Sequence, residues 1–390
     1  MARTVGIGLV GVGWMGRVHS IAYRRCRDHY PDLAGVARLV VAADDDAARA
    51  DAAVETFGYE RSTGDWREVI ADPAVDAVSI ATPNRLHREV AVAAAEAGKH
   101  IWIEKPVGRT PTETAEVADA VDRAGVRSLV GFNYRHAPAV RHARELISSG
   151  AIGPVDHFRS QWIAAYAADP RGVRSWRFRA DDAGLGVLGD LGSHAVDLAQ
   201  SLLGPIESVT ARTATIVADR PLPTETGTHF ALADGSERAP VENEDVVWSI
   251  VRFASGVTGT IEASRVAVGP QARYAFEIHG SRGALAWDFE RMNELQLYGT
   301  KDGDTGYARI AMGPEHEPFG RFQPGPGLPM GYDDLKVIEA ALFLESVVDG
   351  EQRPPGVAQA LAAAKVLAAM ERSAASGRWE TVGDVALSHA

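Results

Sequence analysis

Four short segments carry residue types whose spacing could do chemistry. The first is Gly11-Val12-Gly13-Trp14-Met15-Gly16, a G-x-G-x-x-G turn that follows an apolar run and opens a helical pattern. In that context Gly11 allows a tight turn, Gly13 lets backbone approach a pyrophosphate, and Gly16 lets the helix pack closely. The helix start then offers free N–H groups to phosphates. The second is Asp44-Asp45-Asp46, at the end of the second strand. A carboxylate there bonds adenosine ribose hydroxyls and repels a 2′-phosphate. Asp45, rather than an arginine or serine, follows Asp44, so the expected cofactor is NAD, with NADP disfavoured. Either Asp45 or Asp46 also suits the cap of the next helix.

The third segment is Glu104-Lys105-Pro106, directly after a strand. Ligands gather at the carboxyl ends of parallel strands. Lys105 could polarise a substrate oxygen and share its proton, while Glu104 could hold Lys105 or contact the cofactor. The fourth is Gly189-Asp190-Leu191-Gly192-Ser193-His194. Asp190 and His194, four apart, share one face of a helix. A histidine oriented by a carboxylate is a suitable proton acceptor near neutral pH. The glycines at 184, 186, 189 and 192 allow close approach of another chain segment or a ligand. Asp197, one turn on, reads as structural. Oxidation of a secondary alcohol needs a hydride acceptor, a base and a donor for the alkoxide, and these segments supply all three.

The elements around these segments define the fold class. Val5–Val10 is a continuous apolar run, as in a strand buried on both faces. Helical patterns at 14–28, 46–57, 65–71 and 86–97 alternate with strands at 38–43, 75–81 and His100–Ile103. Thr110-Pro111-Thr112-Glu113 is a capping box opening a helix to residue 124, and 128–132 closes the pattern. This is an α/β Rossmann domain with a doubly wound parallel sheet over 1–130. After a helix at 137–149 the strands lengthen and alternate, at 208–217, Val246–Phe253, Thr258–Ser264 and 272–279. Gly256 and Gly280/Gly283 mark turns. Residues 131–390 are therefore an α+β domain with a large, mostly antiparallel, open-faced sheet for substrate binding and oligomerisation. A helix at 190–203 interrupts it, and helices at 333–348 and 357–376 pack back. Residues 219–244 and 313–330 read as loops.

Composition narrows the function. With a net charge of −12, partners such as nucleic acid or anionic membrane are disfavoured. No apolar run is long enough to span a bilayer, and Met1–Thr4 lacks the features of a signal peptide, so the expected compartment is the cytoplasm. Cys26 is the sole cysteine, which excludes an internal disulfide and a thiolate zinc site; no metal is expected.

Taken together, Gly11–Gly16, Ala81-Thr82-Pro83-Asn84 with His87, Glu104-Lys105-Pro106 and Asp190-Leu191-Gly192-Ser193-His194 resemble the glucose-fructose oxidoreductase / inositol dehydrogenase / MocA (Gfo/Idh/MocA) family over essentially the whole chain. The resemblance implies that Lys105, Asp190 and His194 form the catalytic group, with His194 as acid/base. It implies that Ala81, Thr82, Pro83, Asn84 and His87 line the middle of the cofactor, beside Trp14 and Met15. Trp176 and Arg177 would reach the nicotinamide and substrate, and Asn133, Tyr134, Arg135 and Trp162 would edge the substrate pocket. Within the family, Ser175-Trp176-Arg177-Phe178 and Phe276-Glu277-Ile278-His279-Gly280 are most similar to the bacterial levoglucosan dehydrogenases, which oxidise C3 of an anhydro-sugar. One departure stands out. Where that subgroup has Gln-Asp-Trp, this chain reads Ala164-Ala165-Tyr166, which implies a different set of recognised hydroxyls.

The expected activity is NAD-dependent oxidation of a sugar, anhydro-sugar or inositol hydroxyl. Two other readings use the same residues: an NAD-dependent glycosidase with no net cofactor turnover, and a non-catalytic NAD-binding sensor. The open sheet face and the family's habit point to a homodimer or homotetramer.

Overall fold

The computed structural model describes residues 4–223, 231–233, 237–301 and 304–383. Elements β1 (Val5–Val10), α1 (Trp14–His29), β2 (Ala37–Ala43), α2 (Ala47–Phe57), β3 (Arg61–Thr63), α3 (Trp66–Ala71), β4 (Ala77–Ile80), α4 (Asn84–Glu96), β5 (His100–Ile103), α5 (Pro111–Ala124) and β6 (Ser128–Val130) come first. They are followed by α6 (Pro138–Ser148), β7 (Val155–Ala164), α7 (Ala180–Ala183), α8 (Ser193–Leu203), β8 (Ile206–Ala214), β9 (Asp219–Pro221), β10 (Arg238–Pro240), β11 (Val246–Phe253) and β12 (Thr258–Ser264). β13 (Ala272–Gly280), β14 (Gly283–Asp288), β15 (Glu294–Lys301), β16 (Asp304–Ala311), α9 (Tyr332–Asp349), α10 (Val357–Ser376) and β17 (Glu380–Thr381) complete the chain. Among the described residues no helix is long and apolar enough to cross a membrane.

The chain forms two compact units, and both are discontinuous. The first draws on 1–136 and 331–361, the second on 137–330 and 362–384. Helix α9 returns to the first unit, and α10 is shared between the two.

In the first unit six parallel strands run in the order β3-β2-β1-β4-β5-β6. β1, β4 and β6 are buried along their whole lengths, which is why they read as unbroken apolar runs. The order reverses at β1 and β4, the crevice where such sheets bind ligands. The expected capping box at Thr110 forms only in half. Thr110 Oγ1 accepts the Glu113 amide at 3.1 Å, but the Glu113 carboxylate takes the Arg109 amide at 2.7 Å and its guanidinium.

In the second unit a nine-stranded sheet runs β16-β15-β14-β13-β7-β12-β11-β8-β17. Its one parallel pair is β7–β12. The strand β7, absent from the expected list, lies at its centre. It presents Phe158, Ser160 and Trp162 to the interior and His157 and Arg159 outward. Helix α8 covers the inner face, where the Tyr274 hydroxyl donates to the His194 carbonyl at 2.7 Å. The outer face keeps Trp248, Ile250, Tyr298 and Tyr307 exposed. The polar segment 219–244 is less irregular than expected, since β9 and β10 pair within it; its middle lies outside the described residues. Residues 313–330 form a loop carrying one short turn of 3₁₀ helix, Phe319–Arg321.

Candidate active site

The glycine turn follows β1 and abuts the loop after β4. Gly11 has φ +93°, and a Cβ there would lie 2.7 Å from the Ala81 carbonyl oxygen. A Cβ on Gly16 would lie 1.9 Å from the Gly11 carbonyl oxygen, so Gly16 lets the helix pack onto its own turn. A Cβ on Gly13 would meet no atom within 4 Å. No side chain caps α1, so the first N–H groups of this 16-residue helix face that open ground. Trp14 is exposed and stacks on Tyr332 with centroids 5.8 Å apart, while the Tyr332 hydroxyl meets Met15 Sδ at 3.8 Å.

Asp44 stands at the carboxyl end of β2. Its Oδ2 accepts the Val12 amide at 2.8 Å, which ties the glycine turn to the second strand. Its Oδ1 accepts the Asp46 amide at 3.0 Å and two nitrogens of Arg49, at 3.0 and 2.7 Å. Burial pushes this carboxyl up, but the Arg49 and amide donors outweigh it and hold it below its ordinary range. Asp46 caps α2. Arg49 is the residue sequence reasoning missed. No arginine directly follows Asp44, yet the first turn of α2 folds one back onto it, and the i+3 and i+4 spacing to Asp46 and Asp45 was the available signal.

The ends of β4, β5 and β6 lie side by side and each carries a polar residue. Thr82 follows β4, Lys105 follows β5 and Asn133 follows β6. Thr82 Oγ1 and Asn133 Nδ2 are buried with no hydrogen-bond partner among the described residues. Buried polar atoms are rarely left so, and a bound ligand is an ordinary explanation. Tyr134 is buried with its ring edge toward Tyr332, and Arg135 is half-buried.

Glu104, expected to hold Lys105 or contact the cofactor, is buried. Its Oε1 takes His19 Nε2 at 3.0 Å and Lys336 Nζ at 2.6 Å, inside the first unit. Burial would raise its pKa, but Lys336 and His19 hold the carboxyl far below the usual range. Gly131 leaves room for it, since a Cβ there would lie 2.6 Å from Oε1. His19 in turn stacks on Trp102, centroids 3.6 Å apart. His87 is also internal, 1% exposed, with Nδ1 2.7 Å from the Pro106 carbonyl and Nε2 2.9 Å from that of Thr82. It braces the loops that carry Thr82 and Lys105.

In the second unit, Asp190 lies in a π-helical turn, Leu188–Gly192, that runs into α8 carrying His194. The Asp190 Oδ2 accepts the Tyr166 hydroxyl at 2.5 Å. Gly186 makes the close approach expected of these glycines, since a Cβ there would lie 2.2 Å from the Glu244 carbonyl oxygen. The guanidinium of Arg177 stacks over Trp176 at 4.4 Å, and the Arg177 carbonyl accepts from Asn243 Nδ2 at 2.9 Å. Trp162 is buried against Tyr274, rings stacked at 5.8 Å.

An uncapped helix start, an open Gly13, an acidic strand end and unpartnered polar atoms at the switch point fit a nicotinamide dinucleotide. The fold and this turn define an oxidoreductase with a Rossmann NAD-binding unit. The chain belongs to the Gfo/Idh/MocA family. Residues 5–132 match the oxidoreductase family model with an NAD-binding Rossmann fold, and residues 140–286 match the GFO/IDH/MocA C-terminal domain. It is 39% identical to levoglucosan dehydrogenase of Pseudarthrobacter phenanthrenivorans, covering 98% of this chain and 99% of that one. It is 30% identical to inositol 2-dehydrogenase of Rhizobium meliloti, covering 96% and 98%. A solved levoglucosan dehydrogenase in complex with NADH and levoglucosan superposes with a TM-score of 0.92 at 37% identity, covering 98% of this chain and 100% of that one.

Proposed function

We propose that the protein oxidises a secondary hydroxyl of a sugar, an anhydro-sugar of the levoglucosan kind at C3, or an inositol, with NAD as acceptor. The observation that carries the reading is the row Thr82, Lys105, Asn133 at the ends of adjacent strands, two of whose polar atoms are buried without a partner among the described residues. The amides of Trp14, Met15 and Gly16, with Gly11 and Gly13 giving access, would hold the pyrophosphate. Asp44 would take the ribose, and Ala81, Thr82, Pro83 and Asn84, with Trp176 and Arg177, would flank the rest. A nicotinamide bound there would supply the acceptor for the hydride of the carbinol carbon. His194 takes the hydroxyl proton, Asp190 stabilises the imidazolium that results, and the Lys105 ammonium holds the alkoxide that develops. Asn133, Tyr134, Arg135 and Trp162 would edge the sugar.

The similarity to levoglucosan dehydrogenase supports the anhydro-sugar class, and Ala164-Ala165-Tyr166 argues for a different hydroxyl pattern within it. The exposed Trp248, Ile250, Tyr298 and Tyr307 support a homo-oligomer built on the outer sheet face. A single buried thiol suits the reducing cytoplasm.

The test is a panel of levoglucosan, free pyranoses and inositols with NAD, read as NADH formation. Turnover of at least one, lost in Lys105→Ala and His194→Asn with NADH binding kept, is the expected result. Sugar release without NADH would select the glycosidase reading. NADH binding with no turnover in either direction on any of them would leave a sensor and end the proposal.

A further inference from the structure

The Asp190 carboxylate is gripped from outside its own helix. Tyr166, two residues beyond β7, donates its hydroxyl to Asp190 Oδ2 at 2.5 Å. The phenol stays protonated. Burial raises its pKa well above the ordinary value and the Asp190 charge adds to this, against Arg265 and Arg177. The direction of the bond is thereby set, Tyr166 as donor and Asp190 as acceptor. Around the pair, Arg265 at the end of β12 donates to Asp245 at 2.7 Å and to Asn243 at 2.8 Å, and Asn243 donates to the Arg177 carbonyl. Glu244 takes the Leu188 amide at 2.9 Å, and His194 lies four residues further along the same helical segment.

The Tyr166 ring has a separate function. It packs against the apolar group Ala167, Phe178 and Val241, a task that a phenylalanine would perform equally. The hydroxyl is therefore spare to packing and committed to Asp190.

We propose that Tyr166 is a positioning residue for proton transfer: its hydroxyl fixes the rotation of the Asp190 carboxylate, and so sets how readily His194 takes the substrate proton. The inference rests on the assignment of Asp190 and His194 to that step. It also gives the Ala164-Ala165-Tyr166 segment a chemical role beyond shaping the pocket.

Tyr166→Phe tests it directly. The variant is expected to melt as the parent does and to bind NADH with unchanged affinity. Its kcat/KM should fall roughly ten- to a hundred-fold, as for loss of a hydrogen bond to a charged group, with most of the fall in kcat. The acid limb of kcat/KM should move to higher pH, because a carboxylate that loses a donor holds its proton more tightly. In an Asp190→Asn background the same substitution should cost nothing further, since the effect runs through Asp190. Native kcat/KM and a native acid limb in Tyr166→Phe, with Asp190→Asn impaired, would overturn the inference. So would losses that simply add in the double variant. An Asp190→Asn enzyme with native turnover would instead sink the assignment of the proton-transfer group.

Discussion

Lys336 Nζ lies 2.6 Å from Glu104 Oε1, and the two residues are 232 positions apart in sequence. Lys336 also meets Glu339 at 2.8 Å, and all three side chains are buried. Burial would lower the Lys336 pKa, but the two carboxylates raise it to about 12. The cluster fastens α9 to the segment that follows β5 and carries Lys105. Removing the cation leaves buried carboxylates uncompensated, which typically costs about 3–5 kcal/mol. Lys336→Met is expected to lower the free energy of unfolding by that much, and Glu104→Gln added to it should recover part of the loss. Chemical unfolding checks both. A single variant as stable as the parent would refute this account of the cluster.

His19 makes a pH prediction. Burial lowers its pKa from 6.5 to about 4 despite the neighbouring Glu104 carboxylate. The folded state therefore binds fewer protons than the unfolded chain between these values, and stability must rise with pH across that window. The contribution is present above about pH 6.5 and is lost as pH falls toward 4, up to ~3 kcal/mol. His19→Phe keeps a ring to stack on Trp102 but cannot titrate. Its stability should therefore fall less steeply between pH 6.5 and 4 than the parent's, a comparison open to thermal melts in matched buffers.

Gly13 and Gly16 should separate binding from folding. Alanine at Gly13 meets open space and needs no unusual φ, so Gly13→Ala is expected to fold normally. Its methyl would fill the ground offered to phosphate, and NADH affinity should drop at least ten-fold, ~1.4 kcal/mol. Gly16→Ala drives a methyl into the Gly11 carbonyl and should lose thermal stability even without cofactor. Calorimetry with and without NADH distinguishes the two, and equal stability losses would contradict the assignment.

Arg49 bears on cofactor choice. It puts a half-exposed positive charge beside the carboxylate expected to repel a 2′-phosphate. Arg49→Ala should therefore sharpen the preference for NAD over NADP, by about five-fold for ~1 kcal/mol. The ratio of kcat/KM for the two cofactors reads this out, and a ratio that moves the other way would show that Arg49 acts only by holding Asp44.

On the outer sheet face, Trp248 and Ile250 share an exposed stripe of β11 with Arg252. Paired substitutions Trp248→Asp and Ile250→Asp leave the inner face untouched and should turn an oligomer into monomers. Light scattering across a concentration series would show the change; an unaltered mass would move the interface elsewhere.

Much of the first unit was legible because β1 and β4 are buried along their whole lengths and several helices carry their own stop signals. Gly58 and Gly125 end α2 and α5 in the left-handed conformation, as glycines at those positions advertise. The site was legible as a set of segments, not as contacts. Glu104 reads as a pocket residue because it precedes Lys105, and nothing local reveals that its partner comes from α9. Lys336 itself carried a faint signal, a lysine three residues from Glu339 within an otherwise apolar run. The π-helical turn at Leu188–Gly192 is equally invisible to an i,i+4 argument, which supplied Asp190 and His194 but not Tyr166. β7 was overlooked because its early residues Asp156 and His157 are exposed and its outward positions His157, Arg159 and Gln161 are polar.

The discontinuity of the first unit has a consequence for biosynthesis. A ribosome delivers the dinucleotide turn, Asp44 and Lys105 long before it delivers Lys336. Until residues 331–361 emerge, Glu104 has nowhere to be buried as an anion without its cation, and the inner side of α1 lacks α9. The nascent sheet should thus stay soft, and protease-sensitive, until the second unit has been made. Arrested chains ending before residue 331 should be digested within α1, whereas chains released at full length should resist. The cofactor's scaffold is then completed late, by residues 331–361, far along the sequence from its glycines.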